Sequence, residues 1–83
     1  MGKIMSLPKN EGEIKKEVAR IMREETFYSI CPKDVKVKNF TEESSTYSAK
    51  IRVASENGNH INLVEIICII YPCEGCYKIK VNK

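Results

Sequence analysis

Apolar and polar residues alternate along the second half of the chain in the pattern typical of β-strands. The most apolar segment, residues 61–71, is followed by a tight turn at residues 72–76 and by a short alternating segment at residues 77–81. Residues 35–40 and 46–54 alternate in the same way and come before it. Because turn-forming residues separate these segments, the pattern predicts four strands connected in chain order.

The first half of the chain predicts one helix, at residues 10–28. Asn10 is a suitable N-cap, and Glu13 follows three residues later, as in a capping box. Apolar residues then recur at helical spacing, namely Ile14, Val18, Ile21 and Met22. The helix is expected to end before Pro32, because the residue that precedes a proline avoids the α conformation.

Two turns predict how the last three strands pair. Asn57-Gly58 is a strong hairpin signal, since both residues of its two-residue turn require positive φ. This turn is expected to pair Ser55 with His60. It then aligns apolar or oppositely charged partners, namely Ile51 with Val64, Lys50 with Glu65, and Ala49 with Ile66. A second turn, centred on residues 74–75, is expected to pair Ile70 with Ile79 and Cys68 with Val81.

These elements predict an α+β fold in which one N-terminal helix packs on a four-stranded antiparallel β-meander. The strand residues expected to face the helix are Val35, Val37, Tyr47, Ala49, Ile51, Val64, Ile66, Cys68, Ile70, Ile79 and Val81. This element order is similar to the cystatin-like architecture. Cystatins carry a Gln-Val-Gly motif in a hairpin loop, whereas residues 56–59 read Glu-Asn-Gly-Asn, so the resemblance implies no cystatin activity.

The length of 83 residues indicates a single domain, expected at residues 10–83, after a flexible N-terminal tail at residues 1–9. No apolar run approaches the roughly 20 residues of a membrane span, and residues 1–10 lack the apolar centre of a signal peptide. We therefore expect a cytoplasmic protein without membrane contact. The net charge of +3 is mild for a nucleic-acid-binding domain.

Two of the four cysteines, Cys73 and Cys76, lie on the same turn. The favoured interpretation is a structural turn or disulfide staple without a cofactor, with zinc binding or redox activity as alternatives. A structural zinc site has four ligands, and Cys68 lies about 16 Å from Cys73 along an extended strand. Further ligands would have to come from Cys31 or from a second chain.

The face of the sheet opposite the helix carries the other candidate site. Its apolar residues, predicted as a partner-binding surface for self-association or for another protein, are Leu63, Ile67, Ile69, Tyr71 and Phe40. Its basic residues, which favour single-stranded nucleic-acid binding as the alternative, are Lys36, Lys38, Lys50, Arg52, Lys78 and Lys80. Lysines also keep sheet edges soluble, so they do not by themselves indicate nucleic-acid binding. An apolar strip on a central strand more often contacts a second protein surface, which favours a homo-oligomer or a complex with another protein.

No catalytic group is predicted. Glu25 would act as an acid or base only if it pointed into the core side of the helix, and an exposed carboxylate at the helix end is the simpler interpretation. His60, the single histidine, follows the hairpin turn and is expected to be exposed. The sequence therefore predicts a non-enzymatic small binding or assembly module that self-associates through the outer face of its sheet.

Overall fold

The computed structural model describes residues 10–82, so the predicted tail at residues 1–9 lies outside the described residues. The elements are a helix α1 (Glu11–Thr26), a 3₁₀ turn (Pro32–Asp34) and strands β1 (Val35–Phe40), β2 (Ser45–Ala54), β3 (Ile61–Tyr71) and β4 (Cys76–Asn82). The four strands form one antiparallel sheet in the order β1-β2-β3-β4. The predicted α+β fold, with one helix on a four-stranded meander, is confirmed.

The helix begins as predicted and ends earlier. The side chain of Asn10 accepts hydrogen bonds from the backbone N–H groups of Gly12 at 2.8 Å and Glu13 at 3.3 Å, so it caps the first turn. The helix ends at Thr26 because Phe27 adopts a left-handed conformation with φ of 62°. The N–H of Phe27 donates to the carbonyl oxygen of Arg23 at 2.8 Å, which closes the last turn.

The predicted register between β2 and β3 is confirmed. Ile51 lies opposite Val64, Lys50 opposite Glu65, and Ala49 opposite Ile66. The N–H of Ser55 donates to the carbonyl oxygen of His60 at 2.8 Å, so these two residues close the hairpin as expected.

The conformation of this hairpin loop differs from the prediction. Among the described non-glycine residues only Phe27 has positive φ, so Asn57 does not, and Gly58 alone supplies it, with φ of 76°. The N–H of Gly58 donates to the carbonyl oxygen of Ser55 at 2.9 Å. The side chain of Asn57 accepts from the N–H of Asn59 at 3.0 Å and from the Ser55 hydroxyl at 2.7 Å. A four-residue loop therefore replaces the two-residue turn without changing the strand register.

The predicted register between β3 and β4 is wrong by two residues. Cys68 lies opposite Ile79 and Ile70 lies opposite Tyr77. The connection is a four-residue turn at residues 72–75, in which the N–H of Gly75 donates to the carbonyl oxygen of Tyr71 at 2.9 Å. Because side chains alternate with a period of two, the shift leaves every residue of β4 on its predicted face. It brings Tyr77 into the core, although Tyr77 is not among the residues predicted to face the helix.

A β-bulge in β1 changes the position of one predicted site residue. Val37 lies opposite Tyr47 and Asn39 lies opposite Thr46, so Lys38 is an extra residue. Phe40 therefore pairs with Ser45, which is buried on the helix side of the sheet. The prediction that Phe40 lies on the outer face is wrong, because the bulge reverses the alternation after Lys38.

The core lies between α1 and the helix side of the sheet. Its buried residues are Val18, Ala19, Ile21, Met22, Ile30, Val35, Tyr47, Ala49, Val64, Ile66, Cys68, Ile70 and Tyr77. Val37 and Val81 face this side as predicted but are 43% and 40% exposed. They belong to β1 and β4, the two edge strands, which explains why they are exposed although they have the predicted direction.

Candidate functional site

The outer face of the sheet is the side that points away from α1, and its centre is an apolar strip on β3. We call Ile61, Leu63, Ile67, Ile69 and Tyr71 the β3 strip. Leu63 and Ile61 are 67% and 68% exposed, and the other three residues are half-buried. Ile61 was missed as a site residue, although it shares the odd-numbered phase of the others. Glu65 lies between Leu63 and Ile67 on this face and divides the strip into two apolar segments. Isolated exposed apolar residues are common on proteins, but five of them on one face of a strand indicate a binding surface.

Basic residues lie along both sides of the β3 strip. Directly paired residues of neighbouring strands share a face, so Ile67 lies between Ser48 and Lys80, and Ile69 lies between Thr46 and Lys78. We call Lys78 and Lys80 the β4 column. The basic residues on the other side form the β1–β2 column, which comprises Lys36, Lys38, Lys50 and Arg52. The predicted basic residues are thus arranged as two columns with an apolar strip between them.

The charges on this face are strongly unbalanced. On the described strands, the outer face carries the six cations of the two columns and one carboxylate, that of Glu65. The ammonium group of Lys38 lies 3.1 Å from Oε2 of Glu65, and this oxygen is buried. Lys50 is the direct cross-strand neighbour of Glu65. Glu65 is therefore held within its own basic surroundings, and the rest of the face is positive.

The β1–β2 column borders a concave site. A cavity of about 520 Å³ is lined by Lys33, Asp34, Lys36, Val37, Lys38, Ser48 and Lys50. Ser48 is buried on the outer face among these longer side chains, so it forms a low floor beside Ile67. Asp34 accepts a hydrogen bond from the N–H of Cys31 at 3.2 Å and so belongs to the 3₁₀ turn. Lysine ammonium groups around a concave polar floor are suited to bind carboxylate or phosphate groups.

Phe40 contributes to a different surface. It is 72% exposed and lines a groove on the helix side of the sheet together with Glu11, Ile14, Val37 and Tyr47. The outer face consequently has Tyr71 as its single aromatic residue within the described strands, and the ammonium group of Lys78 lies 5.8 Å from the centre of that ring. The aromatic pair on which the nucleic-acid alternative relied is not assembled on one face.

The cysteine turn contains two free thiols of different character. Cys73 is exposed, whereas Cys76 is half-buried and its thiol donates to the Glu74 carboxylate at 3.3 Å. Partial burial and this hydrogen bond raise the pKa of the Cys76 thiol. Within residues 10–82, no three histidine, cysteine, aspartate or glutamate side chains come together as a metal-binding group. A zinc ion at this turn would need ligands from outside these residues.

The other titratable residues considered as candidates, Glu25, His60 and Cys68, lie outside the outer face of the sheet. Glu25 is exposed at the end of α1 and accepts a hydrogen bond of 3.0 Å from the hydroxyl of Tyr77. His60 is exposed, and its backbone N–H donates to the hydroxyl of Ser55 at 3.1 Å, within the hairpin loop. Cys68 is buried in the core, and burial raises the pKa of its thiol to about 12. At neutral pH this thiol is protonated and therefore weakly nucleophilic.

Comparison of the chain with protein families, with curated proteins and with solved structures finds no match. Within residues 10–82, no helix has the length and apolar character needed to cross a membrane.

Proposed function

We propose that this protein is a non-enzymatic binding module that binds another polypeptide through the outer face of its sheet. The β3 strip carries this proposal, because its apolar side chains lie between two columns of cations and are exposed at Ile61 and Leu63 and half-buried at Ile67 and Ile69. Burial of exposed aliphatic surface against a partner stabilises the complex by about 25 cal/mol for each Å² removed from water.

A protein partner suits the strip better than single-stranded nucleic acid does. Nucleic-acid platforms combine phosphate contacts with stacking of bases on aromatic rings, and each stacked base contributes about 1–3 kcal/mol. The outer face offers phosphate contacts, but its strip consists of isoleucine and leucine apart from Tyr71. An apolar protein surface, by contrast, can bury all five residues of the strip, whereas base stacking would involve only Tyr71.

The charge of the outer face favours an acidic partner over a second copy of the same chain. If two copies stacked face to face, the two basic columns of one would meet those of the other, and like charges in a contact oppose association. Glu65, the single carboxylate that the described strands place on this face, is already paired with Lys38. An acidic partner places carboxylates against the columns and its apolar residues on the strip.

Site-specific photo-crosslinking in the native host tests this proposal. A photo-crosslinking amino acid is introduced in place of Leu63, and at the matched exposed position Lys16 on α1 as a control. We expect a discrete crosslinked product from position 63 alone, which protease digests and nuclease leaves intact. An added Ile69→Lys substitution should abolish this product, while thermal unfolding shows that the variant remains folded.

A nuclease-sensitive product, or the same products from positions 63 and 16, would overturn the proposal. A crosslinked dimer of the chain would support binding of a polypeptide and identify that polypeptide as a second copy. Sedimentation velocity across a concentration series then shows whether Ile69→Lys converts that dimer to a monomer.

A further inference from the structure

We infer that the partner places an acidic amphipathic α-helix along the β3 strip, with carboxylates on both flanks of its apolar stripe. This inference rests on the proposed function and specifies the partner through the dimensions and charges of the outer face. It concerns the shape and charge of the docking segment, which the exposure of the strip does not by itself determine.

The distance between the two basic columns matches the width of a helix. Lys50 and Arg52 lie on β2 opposite Glu65 and Leu63, and Lys78 and Lys80 lie on β4 opposite Ile69 and Ile67, so the two groups are on opposite sides of β3 and displaced along it. Neighbouring strands lie about 4.8 Å apart, so these columns are separated by about 10 Å. A helix with its side chains is about 10–12 Å wide. A helix centred on β3 therefore presents its two flanks to the two columns.

The length of the strip also suits a helix. The part of the strip from Leu63, which lies opposite Arg52, to Tyr71 advances eight residues, or about 26 Å at 3.3 Å per residue. A helix of about 18 residues has the same length. Such a helix makes five turns and can place an apolar stripe on the strip. Its acidic residues would meet Lys50 and Arg52 on one flank near Leu63, and Lys78 and Lys80 on the other flank near Ile69.

Side chains of different length on neighbouring strands form a trough beside the β3 strip. Ser48 and Thr46 are the β2 neighbours of Ile67 and Ile69, and both are much shorter than the lysines beside them. The strip is therefore bordered on one side by a trough, which continues into the cavity lined by Lys36, Lys38 and Lys50. Carboxylates on one flank of the helix would enter this cavity, where hydrogen bonds between oppositely charged groups are strong.

The helix side of the same sheet already shows this mode of packing. Val18, Ile21 and Met22 of α1 share a core with residues of β2 and β3. A second helix on the outer face would give a three-layer arrangement, with the sheet buried on both faces. An added β-strand would pair at the edge strands β1 or β4 and would leave the β3 strip exposed.

A synthetic peptide of about 18 residues, with a leucine stripe at helical spacing and glutamates on both flanks, is the probe. One control peptide has the same composition in shuffled order, and a second has lysine in place of each glutamate. Amide chemical shifts of the isotope-labelled protein report where each peptide binds. We expect the striped acidic peptide to become helical on binding and to shift amides of β3 and of the flanking columns.

The variants Lys50→Glu and Lys80→Glu should each weaken this binding by about tenfold, because each reverses a charge facing one flank of the helix. Lys16→Glu on the exposed side of α1 is the matched control and should leave the affinity unchanged. Equal binding of the shuffled peptide would overturn the inference, as would tighter binding of oligothymidylate or shifts confined to the groove of Phe40.

Failure of this inference is distinguishable from failure of the proposed function. If the striped peptide does not bind but the position-63 crosslink to a protein persists, the helix is wrong and the binding face stands. A crosslink to a second copy of the chain likewise overturns the acidic helix while keeping the outer face as the interface. Loss of both signals removes both proposals.

Discussion

The hydroxyl of Tyr77 donates a 3.0 Å hydrogen bond to the carboxylate of Glu25, and this contact joins the last turn of α1 to the edge strand β4. The two residues are 52 positions apart in the chain. The ring of Tyr77 is buried in the core, while Glu25 is exposed. Burial, together with the hydrogen bond to Glu25, raises the pKa of the Tyr77 hydroxyl to about 12.

This shift predicts that the stabilising effect of Tyr77 decreases at alkaline pH. The folded state holds the phenol proton more tightly than the unfolded state, whose tyrosine pKa is about 10. The contribution is therefore fully present below about pH 10 and is lost as the pH rises toward 12. Tyr77→Phe should lower the free energy of unfolding at neutral pH by about 0.5–1.5 kcal/mol, through loss of the hydrogen bond.

Urea unfolding of the two proteins across this pH range is the measurement. The difference in stability between wild type and Tyr77→Phe should shrink as the pH rises above about 10. The comparison is needed because Cys68, whose pKa is also raised to about 12, destabilises both proteins equally at alkaline pH. A difference that stays constant with pH would contradict the role given to the phenol proton.

Replacement of Phe27 by glycine should stabilise the protein. Phe27 closes α1 with φ of 62°, a conformation that costs a residue with a side chain roughly 1 kcal/mol, and it is 91% exposed. Glycine adopts this conformation without a steric cost and is the usual residue at this position. We expect Phe27→Gly to raise the free energy of unfolding by about 0.5–1 kcal/mol, reduced in part by the greater freedom of the unfolded chain.

Phe27→Ala is the matched control for this substitution, since alanine removes the exposed ring but keeps the Cβ atom. Chemical denaturation of the three proteins separates the two effects. Phe27→Gly should be more stable than Phe27→Ala. Equal stability of the two variants would show that the left-handed conformation carries no strain.

The four thiols should react with Ellman's reagent in an order set by exposure and pKa. Cys31 and Cys73 are exposed and should react first in the native protein. Cys76 should react more slowly, because partial burial and Glu74 raise the pKa of its thiol. Cys68 should react only after unfolding, since it is buried and its pKa is about 12. Fewer than four reactive thiols in denaturant would reveal a disulfide.

Two isoleucines of β3 provide a test of which face of the strand is buried. Ile66 is fully buried against the helix, whereas Ile61 on the opposite face is largely exposed. Ile66→Ala should therefore cost about 2–5 kcal/mol of stability. Ile61→Ala, the same substitution on the same strand, should change stability by less than about 0.5 kcal/mol. Similar losses from both, measured by urea unfolding, would contradict the assignment of the outer face.

Most of the fold was predictable because it follows from local patterns. Alternation along residues 61–71 correctly indicated that Ile66, Cys68 and Ile70 face the helix. The Asn-Gly sequence and the opposite charges of Lys50 and Glu65 indicated the register of β2 and β3. These signals depend on interactions within a few residues, or across one short hairpin, and can therefore be recognised in the sequence.

The candidate site was predictable only in part. The residues of the β3 strip and of both columns lie on the outer face, as their alternation indicated. Phe40 does not, because the bulge at Lys38 reverses the alternation, and the sequence of residues 35–40 contains no glycine or proline to signal it. The burial of Tyr77 was missed because the turn at residues 72–75 is two residues longer than the shortest hairpin turn.

The alternation of apolar and polar residues thus predicted which face of each strand is apolar, because successive side chains of a strand point to opposite faces of the sheet. Whether an apolar side chain is covered depends on elements distant in the chain. Val37 and Val81 point to the predicted face but are exposed, because they lie on the edge strands. Phe27 ends the helix in a left-handed conformation that phenylalanine disfavours. Packing of α1 across the strands determined those positions, because burial of the whole core outweighs the preference of one residue.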